Sequence, residues 1–393
     1  MHTSAPGDHE AAVDHMLEII RCHLGMDIAF VSSVGRGRRV FRHVAPAEAH
    51  PEVKVGASHA LQATYCTLVI EGALQPLTPD TGAVPALAEM PVTDELGIGA
   101  YAGAPIRLTD GRVYGTLCAF SHDRHDFDAE DVHALELAAA LIAQRLSGFA
   151  PRREDVAPLD GPPPRPAFED PLRMLFQPVV DLRTGVEVGY EALARFPREA
   201  VNDPSSWFAL AERLEVDAVL QGHAATSALA QLGSVPEGRW MAVNVSERAL
   251  VDPAVRAILG DHPGQRILLE LTEHASTRDQ REVEGILAGL RCAGVRLALD
   301  DVGAGYSGLD RVLRLQPDVI KLDRSLVTGV WEDVRRQAMV QAFTTFARST
   351  GVEVIAEGIE TQEDADALRV LGVHMGQGFF LGRPSEAPWV DVI

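Results

Sequence analysis

The sequence predicts two units in tandem: an α+β domain, then an α/β unit in the form of a modified TIM-type (β/α)8 barrel whose first strand pair is antiparallel. Three observations carry this expectation. Apolar periodicity disappears through APRREDVAPLDGPPPRPAFEDP, residues 150–171, and a proline-rich stretch of that kind reads as a semi-extended spacer. After it, short apolar runs alternate with helical stretches, the pattern of a parallel sheet with crossover helices. Seven successive runs there bear a polar or charged group at or near their C-terminal end, which is the end where such a barrel collects its functional groups.

The chain has 393 residues, 46% hydrophobic and 23% charged, a length that suits two domains with cores of their own. We place the divisions at 8–148 for the first domain, 149–170 for the linker and 171–393 for the barrel. A formal charge of -21 argues against binding to a nucleic-acid duplex, because no basic surplus exists to displace counterions. Cys22, Cys66, Cys118 and Cys292 lack CxxC spacing, which indicates a reducing compartment and no disulfide framework. No signal-peptide order and no apolar run approaching the ~20 residues of a membrane helix is found. These features place the protein in the cytoplasm and away from membranes.

In the first domain, AAVDHMLEIIRCHLG reads as an amphipathic helix stopped by Gly25, and MDIAFVSSVG as the strand that follows. IGAYAGAPIRL and RVYGTLCAFS are joined by Thr109, Asp110 and Gly111, a hairpin signal. DAEDVHALELAAALIAQRL closes the domain as a helix capped by Asp128. Cys118 falls within an apolar strand and reads as core. His2, His9 and His15 are too loosely spaced to indicate a metal.

In the second unit, LFQPVVDLRTGVEVGYEAL contains two apolar runs joined only by 181–185. A parallel crossover needs a dozen or more residues, so these two strands are expected to be antiparallel. The later runs end as VGYEAL with Glu191, WMAVNVS with Asn244, ILLELTE with Glu270 and Glu273, and RLALDD with Asp300 and Asp301. VIKLD follows with Lys321 and Asp323, VEVIAEGIE with Glu357 and Glu360, and GQGFF with Gln377.

Any one acid after a strand can be a helix cap; the convergence of so many calls for a different explanation. Carboxylates gathered at one mouth do not stay ionised near neutral pH without compensating positive charge, and Lys321 alone is insufficient. An all-oxygen donor set suits Mg²⁺ or Mn²⁺ over zinc. Two such ions sharing a carboxylate form a clamp for in-line attack of water on a phosphodiester.

The segment from about 171 to 390 resembles an EAL-domain cyclic di-GMP phosphodiesterase through an ordered set of motifs: FQPVVDLRTG, YEALARF, NVS, ELTE, ALDDVGAGYSGL, IKLDRSLV, AEGIET and GQGFFLGRP. The first domain resembles a GAF domain in its order of elements and in TYCTLVIEG, IGAYAGAPI and DGRVYGTLCAF. GAF domains are small-molecule sensors and dimerisation modules, so a small-molecule or protein input and a homodimer are expected. Cys66 lacks the following histidine of typical bilin-binding members.

The resemblance implies that Glu191, Asn244, Glu270 and Asp300 surround one metal and that Asp300 bridges to a second held with Asp301, Glu357 and Glu360. It also implies that Lys321 sits against the nucleophilic water, that Glu357 is the general base, and that Gln377 supports the water and metal network. Gln177, Leu193 and Arg195 are implied to contact the dinucleotide, and Glu273 to steady the loop after Asp301 without binding metal. Asp323 and Pro384 are read as structural. The implied reaction is hydrolysis of cyclic di-GMP to linear pGpG.

The loop departs from the usual DDFGTGYSSL at Val302, Ala304 and Gly308, which puts regulation in question more than chemistry. No GGDEF-type cyclase motif is present, which argues against synthesis of the dinucleotide. Adjacent strand residues face opposite ways, so Asp300 and Asp301 can share a mouth only if the chain leaves strand geometry there. Gly303 and Gly305 are expected to supply that freedom.

Overall fold

The computed structural model describes residues 6–47, 50–108, 111–147, 172–196, 204–272, 280–302 and 308–389. The proline-rich linker at 149–170, Thr109 and Asp110 of the hairpin, Glu273, and Gly303, Ala304 and Gly305 of the loop lie outside them. Two compact units form, one from 1–171 with 197–216 and one from 172–196 with 217–393.

The first unit is built on six strands: β1 (Ile28–Gly35), β2 (Arg38–Ala45), β3 (Ser58–Ala60), β4 (Leu77–Thr78), β5 (Ala100–Arg107) and β6 (Val113–Ser121). They form one antiparallel sheet in the order β3-β2-β1-β6-β5-β4. Gly25 takes φ +62 just beyond the helix Pro6–His23, as its place after the amphipathic stretch implies. The Asp128 carboxylate accepts from the Glu130 and Asp131 amides and so caps the helix Ala129–Ser147. These two helices pack on each other and on the sheet. Phe30, Tyr101, Cys118 and Phe120 join a buried cluster with Tyr65, Cys66 and Val69 of the helix Tyr65–Ile70. Within the same unit, Trp207 of the helix Pro204–Arg213 sits edge-on to the His133 ring, centroids 5.5 Å apart.

The second unit is a closed barrel of eight strands: β7 (Arg173–Asp181), β8 (Glu187–Arg195), β9 (Trp240–Val245), β10 (Ile267–Leu271), β11 (Arg296–Val302), β12 (Val319–Leu322), β13 (Glu353–Ala356) and β14 (Met375–Gly376). β7 runs antiparallel to both β8 and β14, and the remaining neighbours are parallel. The short 181–185 connection thus reverses β7 within an otherwise parallel barrel.

Alternation along the strands splits the barrel residues into two sets. Leu269, Leu271, Leu297, Leu299, Ile320 and Leu322 belong to the large cluster shared with the helices outside. Ala242, Leu268, Ala298, Val319, Ile355 and Met375 form a separate cluster with Val179 and Trp240, the floor of the barrel interior. Gly189 pairs in register with Trp240, and a Cβ at Gly189 would run into the indole. The missing side chain there lets the indole fill the floor.

Candidate active site

Two residues beyond six of the floor positions stands a polar group on the same face: Asn244 after Ala242, Glu270 after Leu268, Asp300 after Ala298, Lys321 after Val319, Glu357 after Ile355, and Gln377 after Met375. β7 runs the other way, so Gln177 precedes Val179, and it pairs in register with Glu191. One alternation pattern therefore builds an apolar floor and a polar layer above it.

Lys321 is the hub of that layer and is 1% exposed. Its Nζ lies 2.6 Å from Glu357 Oε1, 2.9 Å from Glu270 Oε2, 3.4 Å from Glu191 Oε2 and 3.4 Å from Asp300 Oδ1. Glu191 is further held by Asn244, whose Nδ2 donates to Oε1 at 3.0 Å, and by Gln377, whose Nε2 donates to Oε2 at 2.7 Å. Gln377 Nε2 also donates to Gln177 Oε1 at 3.1 Å, and Gln177 Nε2 to the Gly382 carbonyl at 3.0 Å. Asn244 uses its amide nitrogen in this network, which leaves its oxygen as the atom to meet a cation.

Four carboxylates against one ammonium leave the site short of positive charge. Burial, reinforced by Glu191 and Asp300, pushes Glu270 well above the ordinary carboxylate range. Burial likewise raises Glu357 to about 8 against the opposing pull of Lys321. Glu191 is held low: burial works against it, but Lys321 and the Asn244 and Gln377 donors outweigh that. Burial also opposes the charge on Lys321, and the four surrounding carboxylates overcome it and raise its pKa well above the usual value.

Further out, Asp300, Asp301 and Glu357 each place a carboxylate oxygen within 4.8 Å of the others. Oxygen donors at this spacing, with local negative charge in excess, fit a hard divalent cation such as Mg²⁺ or Mn²⁺. Asp301 reaches this group because its backbone is left-handed, φ +55, and the pairing of β11 with β12 shifts between Leu299 and Val302. Its amide donates to Asp300 Oδ1 at 3.0 Å. The departure from strand geometry therefore includes Asp301 itself, while Gly303 and Gly305, which were expected to provide it, lie outside the described residues. A non-glycine residue at positive φ is uncommon, and aspartate is one of the few that tolerates it.

A cavity of about 350 Å³ opens over this layer, and its walls include Gln177, Glu191, Asp300, Asp301, Glu357, Glu360 and Gln377. Glu360 stands on the rim with Oε1 3.4 Å from Arg324 Nη2. Leu193 and Arg195 continue β8 beyond Glu191 but are not among the lining residues, and Arg195 Nη1 donates to the Ala194 carbonyl at 2.8 Å. Asp323 acts as a helix cap, accepting from the Ser325 amide at 2.9 Å, and also lines the cavity. Arg324 and Phe379 line it too and escaped the sequence reading. The signal for Phe379 was available: Phe379 and Phe380 form an aromatic pair shortly after the last barrel strand, and they are 51% and 42% exposed. Arg383 stands over the Phe379 ring at 4.4 Å.

The EAL domain family profile matches residues 166–384, more than half of the chain. The chain belongs to the EAL-domain family. The GAF domain profile matches residues 8–146. Among curated proteins the EAL member is similar to the cyclic di-GMP phosphodiesterase PA2567 of Pseudomonas aeruginosa, with 32% identity over 55% of this chain and 39% of that protein. Among solved structures it is similar to BlrP1 of Klebsiella pneumoniae in a calcium and cyclic di-GMP complex, at 32% identity and TM-score 0.50, over 55% of this chain and 56% of that one. It is also similar to the PaMucR phosphodiesterase in a cyclic di-GMP complex, at 30% identity and TM-score 0.51, over 56% of this chain and 94% of that one. The EAL member thus spans well under half of the curated relative's length. No helix among its described residues is long and apolar enough to cross a membrane.

Proposed function

We propose that this EAL-domain chain is a cytoplasmic cyclic di-GMP phosphodiesterase that opens the ring to linear pGpG with two bound divalent cations, Mg²⁺ or Mn²⁺. The observation that carries the reading is the layer of four carboxylates around Lys321, which is short of positive charge and opens into a cavity large enough for a nucleotide to reach it. The family membership and the cyclic di-GMP named in the similar structures support cyclic di-GMP as the substrate.

Divalent cations bound at this mouth would polarise the phosphodiester and lower the pKa of a bound water. Glu191, Asn244, Glu270 and Asp300 would hold one cation, and Asp301, Glu357 and Glu360, together with Asp300, would hold the other. Lys321 lies between the inner carboxylates and Glu357, where its charge favours hydroxide over water. Glu357, beside Lys321 and facing the cavity, takes the proton from the attacking water. Gln377 fixes Glu191, and Gln177, Leu193 and Arg195 meet the dinucleotide, Arg195 through the fork geometry that suits phosphate. Glu273 steadies the loop after Asp301.

The divisions at 8–148, 149–170 and 171–393 make the first domain a regulatory module that receives a small-molecule or protein input and supports a homodimer. Incubation of the full-length chain with cyclic di-GMP and either cation, with chromatographic identification of the product, tests the reading. Accumulation of linear pGpG is expected. Tight binding of intact cyclic di-GMP with neither cation supporting turnover would make the barrel a receptor and overturn it.

A further inference from the structure

A second buried cation lies in the first unit, with no carboxylate ion-pair partner within 4.0 Å among the described residues. Arg39 on β2 is 3% exposed, and its Nε and Nη2 have no hydrogen-bond partner. Its guanidinium stands 4.3 Å from the centre of the Phe41 ring and 5.4 Å from that of Phe30. Contacts with ring faces offset only part of the cost of taking a full charge out of water. A counter-charge is needed.

The group beside it is a thiol. Arg39 Nη1 lies 4.0 Å from Cys66 Sγ, Thr116 Oγ1 donates to the same sulfur at 3.2 Å, and Ser32 Oγ stands 3.8 Å away. Cys118 Sγ donates to Thr116 Oγ1 at 3.2 Å, and the Tyr101 hydroxyl donates to Cys118 Sγ at 2.9 Å. Donors thus run from Tyr101 through Cys118 and Thr116 and end on Cys66. Both cysteines are buried, at 1% and 0% exposure. The neighbouring Cys118 thiol and then Arg39, with help from Thr116 and Ser32, hold Cys66 well below the usual thiol range in spite of burial. Burial and the nearby Cys66 push Cys118 well above that range.

The size of the adjoining cavity decides between an outside ligand and an internal one. Arg39, Cys66, Tyr65, Tyr101 and Phe120 wall a space of about 10 Å³, room for one water at most. An organic anion does not fit, which leaves the Cys66 sulfur as the group placed to balance Arg39.

We propose that Cys66 is a buried thiolate paired with Arg39, and that Cys66 and Cys118 form a redox pair that hydrogen peroxide converts to a disulfide. Cys66 Sγ attacks one peroxide oxygen; the S–O bond forms, the O–O bond breaks, and hydroxide leaves and is protonated to water. The sulfur loses two electrons to the peroxide and becomes a sulfenic acid. Cys118 Sγ then attacks that sulfur as its own proton goes to the departing hydroxide, which forms the S–S bond and a second water. Hydrogen peroxide is only a little larger than the water this space holds and needs only a small local opening to reach the sulfur, whereas bulkier hydroperoxides and aromatic thiol reagents are excluded by size.

Full-length protein carrying Cys22→Ser and Cys292→Ser keeps only this pair, since the two replaced cysteines are the exposed ones. Under hydrogen peroxide, mass spectrometry of its peptides is expected to show Cys66 linked to Cys118 with the loss of two hydrogens, while a bulky aromatic disulfide reagent leaves the folded protein untouched. Cys118→Ser is expected to stop at one added oxygen on Cys66. Arg39→Met is expected to slow the oxidation by about tenfold or more, and Arg39→Lys, which keeps the charge should the methionine variant not fold, to retain most of the rate. Peroxide that leaves both thiols intact while oxidising Cys22 in the parent chain overturns the proposal. So does an Arg39→Met variant that folds and reacts at the parent rate, or a small organic anion that raises the melting temperature and leaves Cys66 an ordinary thiol.

Discussion

Lys321 Nζ and Glu357 Oε1 lie 2.6 Å apart beneath the barrel mouth, with three further carboxylates within 3.4 Å of the same nitrogen. The lysine is the resident positive charge of a site whose acids exceed it. Removing it leaves buried charge uncompensated. Lys321→Met is expected to cost about 3 to 5 kcal/mol of stability in chelator, the cost of breaking a buried ion pair. Scanning calorimetry should also show that millimolar Mn²⁺ recovers part of the loss.

Glu191 is gripped by Lys321, Asn244 and Gln377 at once. Glu191→Ala removes a cation ligand and the carboxylate that accepts from Asn244 and Gln377, of which Gln377 keeps its bond to Gln177. Turnover of cyclic di-GMP is expected to fall by at least about a hundredfold. Comparison of initial rates at saturating Mn²⁺ checks this, and a near-parent rate would remove Glu191 from the ligand set.

The cation-free barrel carries a pH signature. Glu270 and Glu357 hold protons in the folded chain, the latter up to about 8, where the same groups in the unfolded chain are ionised above about 4.5. The folded state therefore binds more protons through that window, and stability falls as pH rises across it. Glu191, shifted the other way, contributes stability that is lost only on acidification below the ordinary carboxylate range. Thermal melts in chelator should fall from pH 5 to 8, and saturating Mg²⁺ should flatten or reverse that slope.

Asp301 couples function to strain. Its left-handed backbone, φ +55, costs about 1 kcal/mol that glycine would not pay. Asp301→Gly is expected to raise the melting temperature in chelator while weakening Mn²⁺ binding. Asp301→Asn, which also tolerates that backbone, should weaken binding without the gain in stability. The two variants separate backbone from charge.

Much of this site was legible because one rule, alternation along a strand, governs it. Ala242, Leu268, Ala298, Val319 and Ile355 announce the floor, and the polar residue two places on announces the layer above. The reversal of β7 followed from the length of the 181–185 connection. What the sequence hid depends on distances between strands and on backbone torsions. Nothing local marks Lys321 as the hub of four acids, or shows that Asp301 takes the left-handed conformation. The orphaned Arg39 was equally silent, because an arginine in a strand normally reads as a solvated edge residue and only packing shows that its guanidinium lies under Phe30 and Phe41.

The central claim is that the carboxylate layer around Lys321 is a divalent-cation site. Electron paramagnetic resonance of free Mn²⁺, titrated into the full-length chain with cyclic di-GMP present, tests it most directly. The expected result is the disappearance of two equivalents of free Mn²⁺ per chain and the loss of that binding in Asp300→Asn. Free Mn²⁺ that rises in step with each addition from the first equivalent, in parent and variant alike, would contradict it.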